Sequence, residues 1–309
     1  MNILVVLASY NGEKYIKEQI DSILNQKNVN VTIKIFDDCS CDSTFEIINS
    51  IKCVDNRVEV FQNFTQSGSA SKNFLNSLYS LNDSDFKKYD FIALSDQDDI
   101  WMDSKLSEAT KKMQIDNSSL YASNLIIWDE GKDSKRILKK DFKQTKFDFL
   151  FEGASAGCTY VFTSLFLIEF KKFASGINLE KWKFLSHDWL IYFCARSLNK
   201  SVIIDSNSYI FYRIHQSNVH GQLNRNSLNA FVKRFAFIID EWYFIHSYHF
   251  SQFLKYGSVE LYIYDMYNKN WFTRIWVVFR YNFKLIRSKR KFIHFALISL
   301  LPRFKSLSF

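Results

Sequence analysis

Phe91-Ile92-Ala93-Leu94-Ser95-Asp96-Gln97-Asp98-Asp99-Ile100-Trp101 joins an apolar run to a cluster of acids. Phe91 to Leu94 is a continuous apolar run, the pattern of a strand buried on both faces rather than on one. It stops at Ser95, and Asp96, Asp98 and Asp99 follow before Ile100 and Trp101 turn the chain apolar again. Carboxylates this close repel one another unless a cation lies among them, and hard oxygen donors suit Mg²⁺ or Mn²⁺ carrying a phosphate-bearing ligand. In an open α/β sheet, ligands bind at the carboxyl ends of the strands, where this cluster falls. The same acids also read as a solvated turn capping a helix that starts near Ser104.

Upstream of this stretch the pattern alternates. Ile3 to Leu7 is another continuous apolar run, and Ser9-Tyr10-Asn11-Gly12 carries turn chemistry. Ile16, Ile20, Ile23 and Leu24 recur at helical spacing across Tyr15 to Gln26. Val31 to Phe36 predicts a strand ended by Asp37-Asp38-Cys39-Ser40. Ser43 to Ile51 predicts a helix, Val58 to Phe61 a short strand and Ser69 to Leu81 a helix. The alternation predicts an α/β fold with a mainly parallel, doubly wound sheet. Its strand ends share one edge, so Ala8-Ser9, Asp37-Asp38 and Asp96 to Asp98 are expected around one crevice. No Gly-x-Gly-x-x-Gly follows the first strand and there is no P-loop, which argues against a dinucleotide-dependent dehydrogenase and a P-loop nucleotidase.

Downstream, Lys105 to Met113 reads as a helix, Leu120 to Trp128 as a strand, and Asp129 to Lys146 as an exposed charged excursion. Gly153 to Gly157 is a cluster of small residues that lets backbone approach a ligand, and a strand is expected from Cys158 to Phe162. Trp182 to Arg196 carries His187-Asp188-Trp189 at the start of an apolar helix. Val202 to Ile204 and Tyr209 to Tyr212 read as short strands, followed by Arg213-Ile214-His215 and by Asn218-Val219-His220-Gly221.

Composition bounds the rest. A chain of 309 residues holds one large domain or one domain and an appendage. Five scattered Cys residues have neither disulfide-framework nor zinc-ribbon spacing, which points to free thiols in a reducing compartment. The N-terminus lacks a basic n-region and its apolar run ends at Ala8, so it reads as a first strand rather than a signal peptide, and a cytoplasmic protein is expected. The net charge of +8 is uneven: Lys269 to Phe309 holds ten Lys and Arg and no acid, leaving 30 basic against 32 acidic side chains before it.

Taken in order, Ala8 to Tyr15 with Gln19 to Gln26, Asp37 to Thr44, Ser71 to Phe74, Ala93 to Trp101, Gly157 to Thr159, Ser186 to Trp189, Tyr212 to His215 and Asn218 to Gly221 resemble the family 2 glycosyltransferases of the GT-A fold. The resemblance is strongest to the bacterial rhamnosyltransferase-like branch and covers the chain from about Ile3 to Gly221, implying a catalytic domain over 1–221 and a separate tail over 222–309. It implies that Asp38 accepts a hydrogen bond from the nucleotide base, with Ala8, Tyr10 and Glu13 framing base and ribose and Lys72 and Asn73 beside the nucleotide. A carboxylate suits an imide N–H because it is a pure acceptor. Asp96 and Asp98 match the Asp-x-Asp element, Asp98 being the direct ligand of Mn²⁺ or Mg²⁺ bridging the diphosphate; Asp99 is a further ligand or a turn cap. Asp188 matches the general base, at a helix start whose dipole favours the ionised form. His187, Trp189 and Gly157 fall in the acceptor region, and His215 or His220 could reach the metal or the diphosphate. The family usually carries Gly where this chain has Cys39; if that backbone needs a positive φ, Cys is strained there.

The tail is aromatic as well as basic, with Trp271, Trp276, Phe279 and Phe283 among Arg274, Arg280, Lys284 and Arg287. No apolar run approaches the roughly 20 residues needed to span a bilayer, so helices lying at an anionic membrane surface are expected, with no nucleic-acid partner. A helical cap packed on the catalytic domain is the plainer reading of the same residues. The function expected is inverting, metal-dependent transfer of a sugar, such as rhamnose, from a nucleoside-diphosphate donor to a lipid-linked or polysaccharide acceptor at the inner membrane face. Two alternatives stand beside it: a haloacid-dehalogenase-like phosphotransferase, whose Asp-x-Asp also follows a strand, and a membrane-bound nucleotide-sugar adaptor without turnover.

Overall fold

The computed structural model describes residues 1–176, 178, 181–214 and 242–301. It comprises two compact units: Met1–Asp141, Ala154–Gly176 and Ser186–Gln222 form the first, and Phe142–Gly153, Ile177–Leu185 and Leu223–Phe309 the second. His215 and His220 lie outside the described residues.

The first unit opens with β1 (Asn2–Ser9), α1 (Ile16–Leu24), β2 (Asn30–Asp37), α2 (Thr44–Val54), β3 (Val58–Gln62), α3 (Ala70–Ser80), α4 (Asp83–Lys88) and β4 (Phe91–Ser95). Each apolar run read as a buried strand is one: Ile3 to Leu7 and Ile92 to Leu94 are sealed from solvent, as parallel strands covered by helices on both faces require. Ile16, Ile20 and Ile23 turn the inner face of α1 onto the sheet. β5 (Ile100–Trp101), α5 (Lys105–Ile115), β6 (Leu120–Asp129), β7 (Ser134–Leu138), β8 (Val161–Thr163), α6 (Ser164–Phe173), α7 (His187–Ser197) and β9 (Val202–Ile214) follow. The strand order is β3-β2-β1-β4-β8-β6-β9-β5, with β7 hairpinned on β6.

β1 to β4 are all parallel, in a register that sets Leu7 beside Ser95 and Ser9 beside Asp37. The carboxyl ends of β1, β2 and β4 therefore lie along one edge. Beyond β4 the sheet becomes mixed, since β8 is antiparallel to both β4 and β6 while β9 runs parallel to β6.

Three local readings change. The charged excursion hides the hairpin β6–β7, whose tight turn uses Asp133 at φ 44°, a conformation Asp tolerates better than most residues. The two short strands near 202 and 212 are one strand, irregular in register opposite Ser123 and Asn124. Its polar middle bends to give Asp205 to Lys112 (2.6 Å) and to the Tyr121 hydroxyl (2.8 Å). The strand expected from Cys158 begins only at Val161, because Gly157–Thr159 is a 3-10 turn.

The second unit is helical: α8 (Trp242–Ser251), α9 (Val259–Lys269), α10 (Trp271–Tyr281) and α11 (Lys289–Ser299). Its centre is Phe151, with ring centroids of Tyr267 and Phe295 at 5.0 and 4.9 Å. Arg287 is buried against Asp148 (3.4 Å) and Glu152 (3.1 Å), and Lys291 reaches Glu152 at 3.3 Å. On α10, Val277 and Val278 are buried while Phe272 (76% exposed), Trp276 and Phe279 (67% exposed) form an outward stripe at helical spacing that Phe283 extends. Ile293 and Leu297 expose a second apolar stripe on α11. No helix among the described residues is long and apolar enough to cross a membrane.

Candidate active site

The loop after β4 is pinned residue by residue. Ser95, sealed from solvent, leads into the loop. The Gln97 side chain accepts from the Tyr10 N–H (2.8 Å) and donates to the Tyr10 carbonyl (2.9 Å). Gly12 makes that latch possible, because a Cβ there would overlap the Gln97 amide. Arg213 Nε donates to the Asp98 carbonyl (3.1 Å). The buried Gln19 amide donates to the Asp99 carbonyl and accepts from the Ser95 hydroxyl (2.6 Å) and Trp101 Nε1 (3.2 Å). On the acid loop these tethers grip backbone groups and the side chains of Ser95, Gln97 and Trp101, and none of them uses a carboxylate of Asp96, Asp98 or Asp99.

Asp99 is not a turn cap. Its side chain is fully buried beside the Cys158 thiol and the buried Lys105. Burial, then the charges of Asp98 and Asp96, push the Asp99 carboxyl well above its usual range. Burial also raises Asp96, to about 7, with Asp98 and Asp188 adding to the push. Burial lowers the Lys105 ammonium to about 7, and its Nζ lies 3.3 Å from the Trp101 ring centroid. Such crowding favours a bound cation. Asp96, Asp99 and Cys158 each offer a donor atom, all within 4.8 Å of one another, and the two carboxylates of this set fit a divalent metal; Asp98, the expected direct ligand, is outside that set but close enough for its charge to raise both.

Across β1 lies the turn after β2. Asp37 accepts from the hydroxyls of Ser9 (3.1 Å) and Ser40 (2.5 Å). Asp38 is buried, with Oδ1 accepting from Asn63 Nδ2 (2.7 Å) and the Ser67 N–H (2.7 Å) and Oδ2 from the Ser67 hydroxyl (2.7 Å). Cys39 sits at φ 59°, the left-handed conformation that its Gly-for-Cys difference flagged. Ala8 is buried at the end of β1, and Tyr10 is exposed. Glu13 accepts from the Ser43 N–H (2.9 Å) at the start of α2, a helix-capping placement. Asn73 is buried, donating to the Phe36 carbonyl (3.0 Å) and accepting from Asn63 (3.1 Å), so it ties the Asp38 turn to α3; Lys72 beside it is half-buried.

The first turn of α7 supplies the remaining residues. Asp188 Oδ1 accepts from the Ser186 hydroxyl and the Trp189 N–H (2.7 Å). Among the described residues Oδ2 accepts no hydrogen bond. The Asp188 carbonyl accepts from the Tyr160 hydroxyl (3.1 Å), and Trp189 is buried. The His187 ring stacks on Phe74 (4.5 Å between centroids) and shares a hydrogen bond with Ser71 (3.1 Å). Its Nε2 is sealed off against Gly157, where any Cβ would overlap it. Burial lowers the pKa of this imidazole, although Asp188 pulls the other way. Asp96, Asp98 and Asp188 thus share one electrostatic neighbourhood, and Asp38 is set on the far side of β1.

Sequence reading missed Lys105, Arg213, Cys158 and the amides of Gln19, Asn63 and Gln97. Lys105 alone left a trace, since position 105 falls on the apolar face of its helix with Leu106 and Ala109.

The glycosyl transferase family 2 model matches residues 4–169, more than half of the chain. The dTDP-rhamnosyl transferase RfbG of Shigella flexneri is 37% identical over 239 residues, covering 77% of this chain and 80% of that protein. Campylobacter jejuni GalNAc(5)-diNAcBac-PP-undecaprenol beta-1,3-glucosyltransferase is 29% identical over 175 residues, 55% of this chain and 53% of that one. Among solved structures, S. aureus TarS residues 1–349 in complex with UDP-GlcNAc matches with a TM-score of 0.57 at 16% identity, covering 97% of this chain and 88% of that chain. The family match decides against the phosphotransferase reading of the acid cluster. The chain belongs to glycosyl transferase family 2 and is a glycosyltransferase with the GT-A fold.

Proposed function

We propose that this enzyme transfers a rhamnosyl group with inversion, from dTDP-rhamnose to a hydroxyl of a glycan or lipid-linked acceptor in cell-surface glycan synthesis, with Asp188 as general base. The donor follows from the name of the RfbG relative. The base assignment rests on one observation: Asp188 lies close enough to the acid loop to add to the upward push on Asp96, with Oδ1 held in place and Oδ2 left for a proton. As the acceptor oxygen bonds to the anomeric carbon, its proton passes to Asp188. The bond from that carbon to the diphosphate oxygen breaks, and its electron pair leaves with the nucleoside diphosphate.

Asp98 and Asp96 would hold Mn²⁺ or Mg²⁺. When bound, the ion neutralises charge on the departing diphosphate. Asp38 takes the base imide N–H in place of the Ser67 hydroxyl, with Ala8, Tyr10, Glu13, Lys72 and Asn73 around it. The aromatic stripe of α10, flanked by the exposed Arg280 and Lys284, lies at the anionic cytoplasmic face of the membrane with its rings among the headgroups.

Asp188→Asn tests the base. Rhamnosyl transfer falls roughly 10³-fold while dTDP affinity stays within about threefold of native. Near-native turnover excludes Asp188 from the role.

A further inference from the structure

Arg213, on β9, is a deeply buried cation with two charged partners. Its side chain is 1% exposed. The guanidinium lies between the rings of Tyr15 and Trp128, 4.5 and 4.6 Å from their centroids. Nη1 donates to Glu130 (2.6 Å) just beyond β6, and Nη2 donates to Glu18 on α1. Burying such a charge is costly unless it is neutralised, and two carboxylates achieve that here. The third donor, Nε, goes instead to the carbonyl of Asp98 (3.1 Å).

We propose that Arg213 is the positioning residue of the acid loop: it fixes the Asp98 peptide and through it the Cα–Cβ bond from which the Asp98 carboxylate extends. A peptide held by its carbonyl keeps its plane and with it the direction of the Asp98 Cα–Cβ bond, which limits the positions its rotamers can offer the carboxylate, and a charge-assisted hydrogen bond is a strong hold. Lysine cannot substitute, because a point charge lacks the planar fork that serves three acceptors in three directions while stacked between two rings. Glu18 and Glu130 hold the fork and cancel a positive charge that would otherwise oppose a divalent ion at Asp98. The consequence for metal binding rests on the metal-ligand reading of Asp98; the hold on the loop does not.

The test uses the full chain with two readouts: amide hydrogen exchange of the segment from Asp96 to Trp101, and Mn²⁺ binding followed by the electron paramagnetic resonance of the free ion. Arg213→Met is expected to speed exchange in that segment roughly tenfold and to weaken Mn²⁺ binding roughly tenfold, with exchange in β1 and β2 unchanged. Arg213→Lys rescues neither readout. The Glu18→Gln/Glu130→Gln double variant alters two half-exposed side chains and moves both readouts the same way by roughly threefold, which decides the matter should Arg213→Met fail to fold. Native exchange in the segment for all folded variants overturns the proposal. If the native chain binds no Mn²⁺, the metal reading falls, and the exchange result still decides the role of Arg213.

Discussion

Adding one methyl at Gly157 measures how firmly the His187 ring is held. A Cβ there would overlap Nε2 and come within 3.2 Å of both Cδ2 and Cε1, so the ring must move. It cannot move freely, because it is stacked on Phe74 at 4.5 Å and bonded to Ser71 at 3.1 Å. Giving up the hydrogen bond costs about 1 kcal/mol and loosening the stack about 0.5–1.5 kcal/mol. Gly157→Ala should therefore destabilise the folded chain by about 2 kcal/mol in urea unfolding. The displaced ring also shifts the first turn of α7, so turnover falls more than donor affinity. In a His187→Ala background the clash is gone, and the same methyl should cost under about 0.5 kcal/mol, giving a coupling energy near 1.5 kcal/mol. Equal costs in the two backgrounds would refute the contact as the cause.

Cys39→Gly relieves a left-handed residue, worth about 1–2 kcal/mol, against about 0.4–1 kcal/mol of added freedom in the unfolded chain. The net is a gain of about 0.5–1 kcal/mol, read as a small rise in Tm; a fall in Tm contradicts it. Burial alone would raise the Glu152 carboxyl, but Arg287 and Lys291 outweigh it and hold the group below its usual range. Its folded pKa is thus lower than its unfolded value of 4.5, so its contribution is complete above that pH and lost as pH falls through the folded value. Glu152→Gln should cost about 3 kcal/mol at neutral pH and make unfolding less sensitive to acid, which urea titrations across acidic pH would check. Phe272→Ser/Phe279→Ser should weaken sedimentation with vesicles containing phosphatidylglycerol at least about tenfold and leave transfer to a water-soluble acceptor unchanged. Undiminished sedimentation would move the membrane contact elsewhere.

The parallel half of the sheet was legible because strands covered on both faces need unbroken apolar runs, and Ile3 to Leu7 and Phe91 to Leu94 provide them. The acid cluster was legible for the complementary reason, since nothing apolar explains Asp96, Asp98 and Asp99 at the end of a buried strand. What stayed hidden was set by tertiary partners. The charge of Asp129 to Lys146 masked β7, whose exposed face tolerates any polar residue. Glu13, Asn73 and Lys105 also have partners that their sequence neighbours do not announce: respectively they cap a helix, tie two elements together and pack on Trp101. Arg213 stands in the Tyr212 to His215 block, but its role was not legible, because Glu18 and Glu130, which neutralise it, are remote in sequence.

The outward rings of α10 also dictate how the purified chain behaves once it is taken from the cell. In aqueous buffer, Phe272 and Phe279 and part of Trp276 face bulk water. Molecules at high concentration will hide them against one another, so sedimentation velocity should show reversible association that detergent micelles dissolve. An apparent oligomer measured without detergent would then report on this stripe rather than on a physiological assembly.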